Sequence, residues 1–177
     1  LERFYTSQHS VIEAPRFSRL GTGWRTGFDA AASWLGSDLA DATVSSIVLP
    51  NGFEYSFVKQ ASVWKPVLAR INGGGLAWDQ LRTDFAVSLT TDSANAVLQL
   101  PNGTTYRFNA AGKLVQIRFP GGYQQNLTYA NDLNTRVADN QGNWVEFTYG
   151  GTNLPSFIAT AVLTSDGKRI SYAYDNR

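Results

Sequence analysis

Leu100-Pro-Asn-Gly-Thr-Thr-Tyr-Arg-Phe108 begins a pattern that returns as Gly122-Tyr-Gln-Gln-Asn-Leu-Thr-Tyr129, Gly142-Asn-Trp-Val-Glu-Phe-Thr-Tyr149 and Gly167-Lys-Arg-Ile-Ser-Tyr-Ala-Tyr174. Each unit runs a glycine turn into a short alternating segment that ends on an aromatic. The turn glycines Gly103, Gly122, Gly142 and Gly167 recur roughly every twenty to twenty-five residues, the spacing of one supersecondary unit stacked on the next. The third, fifth and seventh residues after the glycine are Gln125, Leu127 and Tyr129, then Val145, Phe147 and Tyr149, then Ile170, Tyr172 and Tyr174. The first unit supplies Tyr106 and Phe108 in the same phase. Side chains alternate along a strand, so these residues share one face. Thr105, Arg107, Asn109, Gln124, Asn126, Thr128, Arg169 and Ser171 fall on the other, polar face. The pattern predicts a series of half-buried strands.

Upstream, Ala42 to Val58 predicts a hairpin: a β-branched run at Val44 to Leu49, a turn at Pro50-Asn51-Gly52, and a return from Phe53 to Val58. Asn-Gly between apolar runs signals a tight hairpin whose two central residues both take positive φ. Tyr55 and Phe57 stand third and fifth after Gly52, an early copy of the later phase. Gly21, Gly23, Trp24 and Phe28 belong to a glycine-rich bend expected to plug its two aromatics into a core. Ala30 to Leu35 has the propensity for one short helical turn, although nucleating so short a helix is costly. Val63 to Leu68 reads as a strand, Asn72 to Gly75 as a long loop, and the residues around Trp78 as a short segment. Phe85 to Leu89 and Ala96 to Leu100 read as two further strands. No serine- or proline-rich linker interrupts the chain, so 1–177 reads as one β-rich domain, with an opening segment at 1–99 and tandem repeats at 100–177.

Composition agrees. The 177 residues are 43% hydrophobic and only 16% charged, with 16 glycines, the profile of short strands and glycine turns and long enough for a core that needs no staple. A net charge of +1 with no basic block argues against nucleic acid as a partner. The lack of cysteine removes disulfide and thiol chemistry. No apolar run is long enough to span a bilayer as a helix. The first residues, Leu1-Glu-Arg-Phe-Tyr5, carry neither methionine nor a signal peptide, so the expectation is a piece of a larger protein.

The phased units together resemble the Rhs or YD-repeat family. Ser171-Tyr-Ala-Tyr-Asp175 carries the Tyr-Asp ending, with Tyr174 and Asp175 as its last pair, and Gly103 to Leu114 is a near match that reads Phe-Asn instead. Leu127-Thr-Tyr129 and Phe147-Thr-Tyr149 keep the aromatic and lose the aspartate. Gly21-Thr-Gly-Trp24 is similar to the segment that opens the repeat region in many members. The resemblance implies a strand-rich wall from a large secreted or surface protein, in which repeats spiral into a hollow shell. Bacterial toxins enclose a C-terminal toxic domain in such shells, and insecticidal toxin complexes and animal teneurins have related ones. This chain departs from them in having few repeats and neither a self-cleavage segment nor a toxic domain, so the expected partners are a longer parent or further copies joined at strand edges.

The residues offer little catalytic chemistry. His9 is the one histidine, and no Gly-x-Ser-x-Gly elbow accompanies it. One histidine and no cysteine leave no zinc set. Asp139 to Gly142 and Ser165 to Gly167 look like calcium-loop fragments but are explained as turns. The Gly73 to Gly75 run lacks the Lys-Ser/Thr of a phosphate loop. Glu54 and Glu146, on polar faces, would be the acids of a glycoside hydrolase, the minor alternative. Trp144 falls on the polar face beside Glu146, either as a platform for a glycan or host surface protein or as core under a covered sheet. The expected fold is an all-β, antiparallel, twisted sheet of consecutive hairpins whose apolar face needs cover, from the N-terminal part or from neighbours. The expected function is a non-enzymatic wall segment of a secreted or surface bacterial protein, without cofactor or metal. The alternative is a carbohydrate- or protein-binding adhesin module.

Overall fold

The computed structural model of this chain describes residues 3–5, 24–36, 39–72, 75–79, 86–92, 94–151 and 154–173. Strands β1 (Arg3–Tyr5) and β2 (Trp24–Thr26) pair with each other. A five-stranded sheet follows in chain order: β3 (Ala31–Leu35), β4 (Val44–Val48), β5 (Glu54–Gln60), β6 (Val63–Asn72) and β7 (Gly75–Asp79). The third sheet has nine strands, again in chain order: β8 (Ser88–Thr91), β9 (Asn95–Gln99), β10 (Thr105–Asn109), β11 (Leu114–Arg118), β12 (Gln124–Ala130), β13 (Leu133–Asp139), β14 (Trp144–Gly151), β15 (Leu154–Thr164) and β16 (Arg169–Ser171). All pairings are antiparallel, so the chain has the expected all-β fold of consecutive hairpins. The sheet that holds the repeats reaches back beyond Leu100 to Ser88. Gly21, Gly23, His9, Tyr174 and Asp175 lie outside the described residues, and of Trp24 only the backbone is described.

Three local expectations need correction. Ala31 to Leu35 is a strand in full register with β4, not a helical turn. Five residues are too few to nucleate a helix, whereas the ladder satisfies their backbone groups at once. The glycine-bearing stretch at 72–75 is no long loop, because Asn72 pairs with Gly75 and closes the β6–β7 hairpin. The Pro-Asn-Gly turns also differ from the two-residue form. Leu49 N–H donates to Phe53 O at 2.8 Å and Gly52 N–H donates to Leu49 O at 2.9 Å, so the loop has three residues. Leu100 to Thr104 repeats this with 2.9 Å bonds at both places. Proline locks its own φ negative, which forbids a start with positive φ and favours a type I turn followed by a left-handed glycine. Gly52 (φ 84°) and Gly103 (φ 83°) take that place. Two-residue turns with positive φ occur instead at Ala61-Ser62 and Asn131-Asp132.

Because every strand reverses direction, the Gly103, Gly122, Gly142 and Gly167 turns all lie at one end of the nine-stranded sheet. Its apolar face packs on the five-stranded sheet in one core. Ile47 and Phe57 enter from the smaller sheet and Leu98, Phe108, Leu114 and Val162 from the larger, each at most 1% exposed. The N-terminal part thus supplies the cover that the repeats need. Polar bonds fasten the join: Ala32 N–H to Gly112 O at 2.9 Å, Trp34 Nε1 to Ala110 O at 3.0 Å, and Trp64 Nε1 to Thr91 Oγ1 at 3.1 Å. Phe28 packs against the core, its ring edge-on to Phe147 with centroids 6.4 Å apart.

Candidate functional site

The repeat residues divide by depth. The fifth residue after the glycine is the core anchor: Phe57, Phe108, Leu127 and Phe147 are buried and Tyr172 is half-buried. The third residue sits nearer the turn and is less covered. Tyr55, Tyr106 and Val145 are half-buried, and Ile170 on edge strand β16 is exposed. Burial pushes the Tyr106 hydroxyl above its ordinary range, with Tyr55 adding to the shift.

The seventh residue has a role that its position alone did not disclose. Tyr129 Oη donates to Leu114 O at 2.7 Å, and Tyr149 Oη donates to Asn134 O at 2.6 Å, both across fifteen residues. Each accepting carbonyl belongs to the residue before a β-bulge. Tyr106-Arg107-Phe108 faces Ile117, Gln116 and Leu114, leaving Val115 as the extra residue. Thr128 and Tyr129 face Arg136 and Asn134, leaving Thr135 extra. Thr148 and Tyr149 face Ala161 and Ala159, leaving Thr160 extra. The bulged threonines bond back, Thr135 Oγ1 to Thr128 O and Thr160 Oγ1 to Thr148 O, both at 3.3 Å. A bulge interrupts its ladder and bends its strand. The neighbouring β11–β12 and β13–β14 ladders hold three pairs each, ending at Gln116–Asn126 and Arg136–Glu146. The tyrosine hydroxyls bridge the sheet just beyond those ends, where one repeat meets the next.

On the polar face, Trp144 is half-buried and lies outside the core cluster. The Arg136 guanidinium lies 4.7 Å from its ring centroid and bonds Glu146 Oε1 at 3.2 Å. Register explains the trio, since Arg136 faces Glu146 and the neighbouring Ala138 faces Trp144. One face of the indole is therefore already engaged by a cation. Glu54 sits on the other sheet, accepting from Ser46 Oγ, so the two glutamates belong to separate sheets and separate local partners.

The turn acids are occupied by their own loops. Asp139 accepts from the side-chain and backbone nitrogens of Asn143 at 2.9 and 2.8 Å, from Gln141 N–H at 2.9 Å and from Tyr123 Oη at 3.1 Å. These bonds, led by the Asn143 amide, hold its carboxyl below the usual range. Asp166 pairs with Lys168 at 2.6 Å, which with a bond from Thr164 lowers it to about 2. Among the described residues no group of three acidic, histidine or cysteine side chains converges as a metal set, and no helix is long and apolar enough to cross a membrane.

A cleft of about 460 Å³ opens on the polar face at the glycine-turn end, lined by Gln99, Thr105, Arg107, Gln116 and Arg118 and by the turn Pro120–Gly122. Strand alternation assigns Thr105 and Arg107 to this face, and pairing register sets Arg118, Gln99 and Gln116 around them. A second cleft of about 470 Å³ lies between the sheets at the same end and is lined mainly by apolar residues such as Phe28, Leu49 and Tyr106. No known protein family matches this chain, and no curated protein does.

Proposed function

We propose that this chain is a non-enzymatic wall segment of a larger secreted or surface bacterial protein of the YD-repeat kind, enclosing or presenting another domain. The observation that carries this reading is the recurrence of one joint. Bulge, short ladder and tyrosine bridge appear at successive repeats with the same fifteen-residue offset. Such a joint adds two strands at a time in chain order and keeps glycine turns at one end, which is how a sheet grows into a wall. The acids considered for hydrolysis are engaged with separate partners, which favours a structural role over a catalytic one.

The outermost strand of the nine-stranded sheet supports the same reading. Arg169, Ile170 and Ser171 of β16 are all exposed, with Ile170 at 47%. An apolar residue on an open edge invites another strand. The test is the association state of this chain, measured by light scattering across concentration. Self-association that Ile170→Lys reverses supports a shared edge. A monomer at every concentration, whose β16 amides exchange as slowly as those of β12, would mean that the sheet closes by itself and would refute the wall.

A further inference from the structure

The geometry points to the outer face of the five-stranded sheet as an interface with a second copy of this chain, a reading that does not depend on the wall. Ile47 and Phe57 turn into the core from β4 and β5, so their neighbours along each strand turn outward. Pairing register lines up the outward residues in rows across the sheet. Ser33, Ser46, Ser56 and Val67 form the middle row. Leu35, Val44, Val58 and Lys65 form the row nearer the β5–β6 turn, and Ala31, Val48 and Glu54 form the row on the other side. Leu35 at 66% and Val63 at 57%, both at the β5–β6 turn end, are the most exposed large apolar side chains among the described residues. A contiguous apolar face of this extent marks an interaction surface.

What fits this face is the same face turned over. Glu54 and Lys65 are the only charges in these rows, and they stand toward opposite ends. Four residues of strand rise, roughly 13 Å, and one strand spacing separate them, too far for a pair within one copy. Lys65 has no ion pair or side-chain hydrogen bond among the described residues. A two-fold axis along the serine row exchanges the two ends, so Lys65 of each copy meets Glu54 of the other. The same operation sets Val44 against Val48 and serines against serines. The serine row tolerates burial, because Ser33 Oγ donates to Ser46 O at 3.3 Å and Ser46 Oγ donates to Glu54. Sheets pack face to face about 10 Å apart, a gap that a lysine and a glutamate reaching from either side can span. Four strands by five residues cover roughly 300–400 Å², small for a permanent dimer, so the pair is weak and reversible.

Sedimentation equilibrium of the full chain, loaded from about 10 μM to about 1 mM, reads this association. Ile170→Lys serves as the background, since it blocks the β16 edge and so separates this face from the wall. A monomer–dimer equilibrium with a dissociation constant of roughly 0.1 mM is expected there. Val58→Lys should abolish it. Glu54→Lys and Lys65→Glu should each weaken it about tenfold by setting like charges together, and the double reversal should restore it. That recovery distinguishes the contact from any loss of folding in the single variants. A monomer at every concentration would overturn the interface and give the face to another part of a longer chain. A dimer that survives Val58→Lys, or a double reversal no tighter than the single ones, would overturn it too.

Discussion

Removing one hydroxyl, in Tyr149→Phe, isolates the joint between repeats. The phenylalanine ring keeps the contact with Phe147, whose centroid is 6.3 Å away at a 34° tilt, so the packed area barely changes. What disappears is the 2.6 Å bond to the Asn134 carbonyl. A neutral hydrogen bond contributes about 1 kcal/mol net, and a carbonyl left without its donor in a buried place raises the loss toward about 2 kcal/mol. Asn134 is 0% exposed, so water is a poor replacement and the upper part of that range applies. For a chain of this length, a loss of about 2 kcal/mol lowers the melting temperature by roughly 4–8 °C. Urea unfolding should show a lower midpoint with an unchanged slope, and hydrogen exchange should quicken first at the β13–β14 ladder. Tyr129→Phe should behave alike through Leu114, and the double variant should show coupling, because Tyr129 faces Asn134, the acceptor of the Tyr149 hydroxyl, across the β12–β13 ladder. A Tyr149→Phe protein as stable as the wild type, with the same exchange at Arg136 and Glu146, would refute the bridge as the fastening between repeats.

Gly112→Ala should destabilise by about 3 kcal/mol or more, since φ is +75° and a Cβ would stand 1.9 Å from the Ala32 carbonyl oxygen. Gly142→Ala, with φ +93° but open space around it, should lose only about 1–2 kcal/mol, and equal losses in a denaturant titration would sink the distinction. Ala61→Asn combined with Ser62→Gly should raise the melting temperature, because the native φ angles of 46° and 68° suit the new residues, for a gain of about 1 kcal/mol. Asp92, Asp139 and Asp166 all have depressed carboxyls, chiefly through the Ala94 N–H, the Asn143 amide and Lys168 respectively. Such groups stabilise the fold above their unfolded value of 3.8 and lose that effect as pH falls through the folded value, about 2 for Asp166. Unfolding midpoints should therefore drop between those limits, and Asp139→Asn should flatten part of the slope.

The repeat strands β10, β12, β14 and β16 and the residues that face the core from them were legible in the sequence, because they follow from local alternation after a glycine turn, whereas the return strands β11, β13 and β15 emerged only from pairing. Phe57, Phe108, Leu127 and Phe147 share a phase that no tertiary contact was needed to find. Three things required the folded chain. The Pro-Asn-Gly turns close over three residues, as the proline-free loops ending at Gly112, Gly142 and Gly167 also do, a geometry that appears only once the strands pair. Ala31 to Leu35 became a strand because β4 was there to pair with it. The third was the chemistry of the sites. The Tyr129 and Tyr149 hydroxyls find carbonyls that exist as acceptors only where a bulge has opened the ladder. Arg107 and Arg118 become neighbours only in the β10–β11 register. A strand's period assigns each side chain to a face, and pairing register decides which side chains meet there.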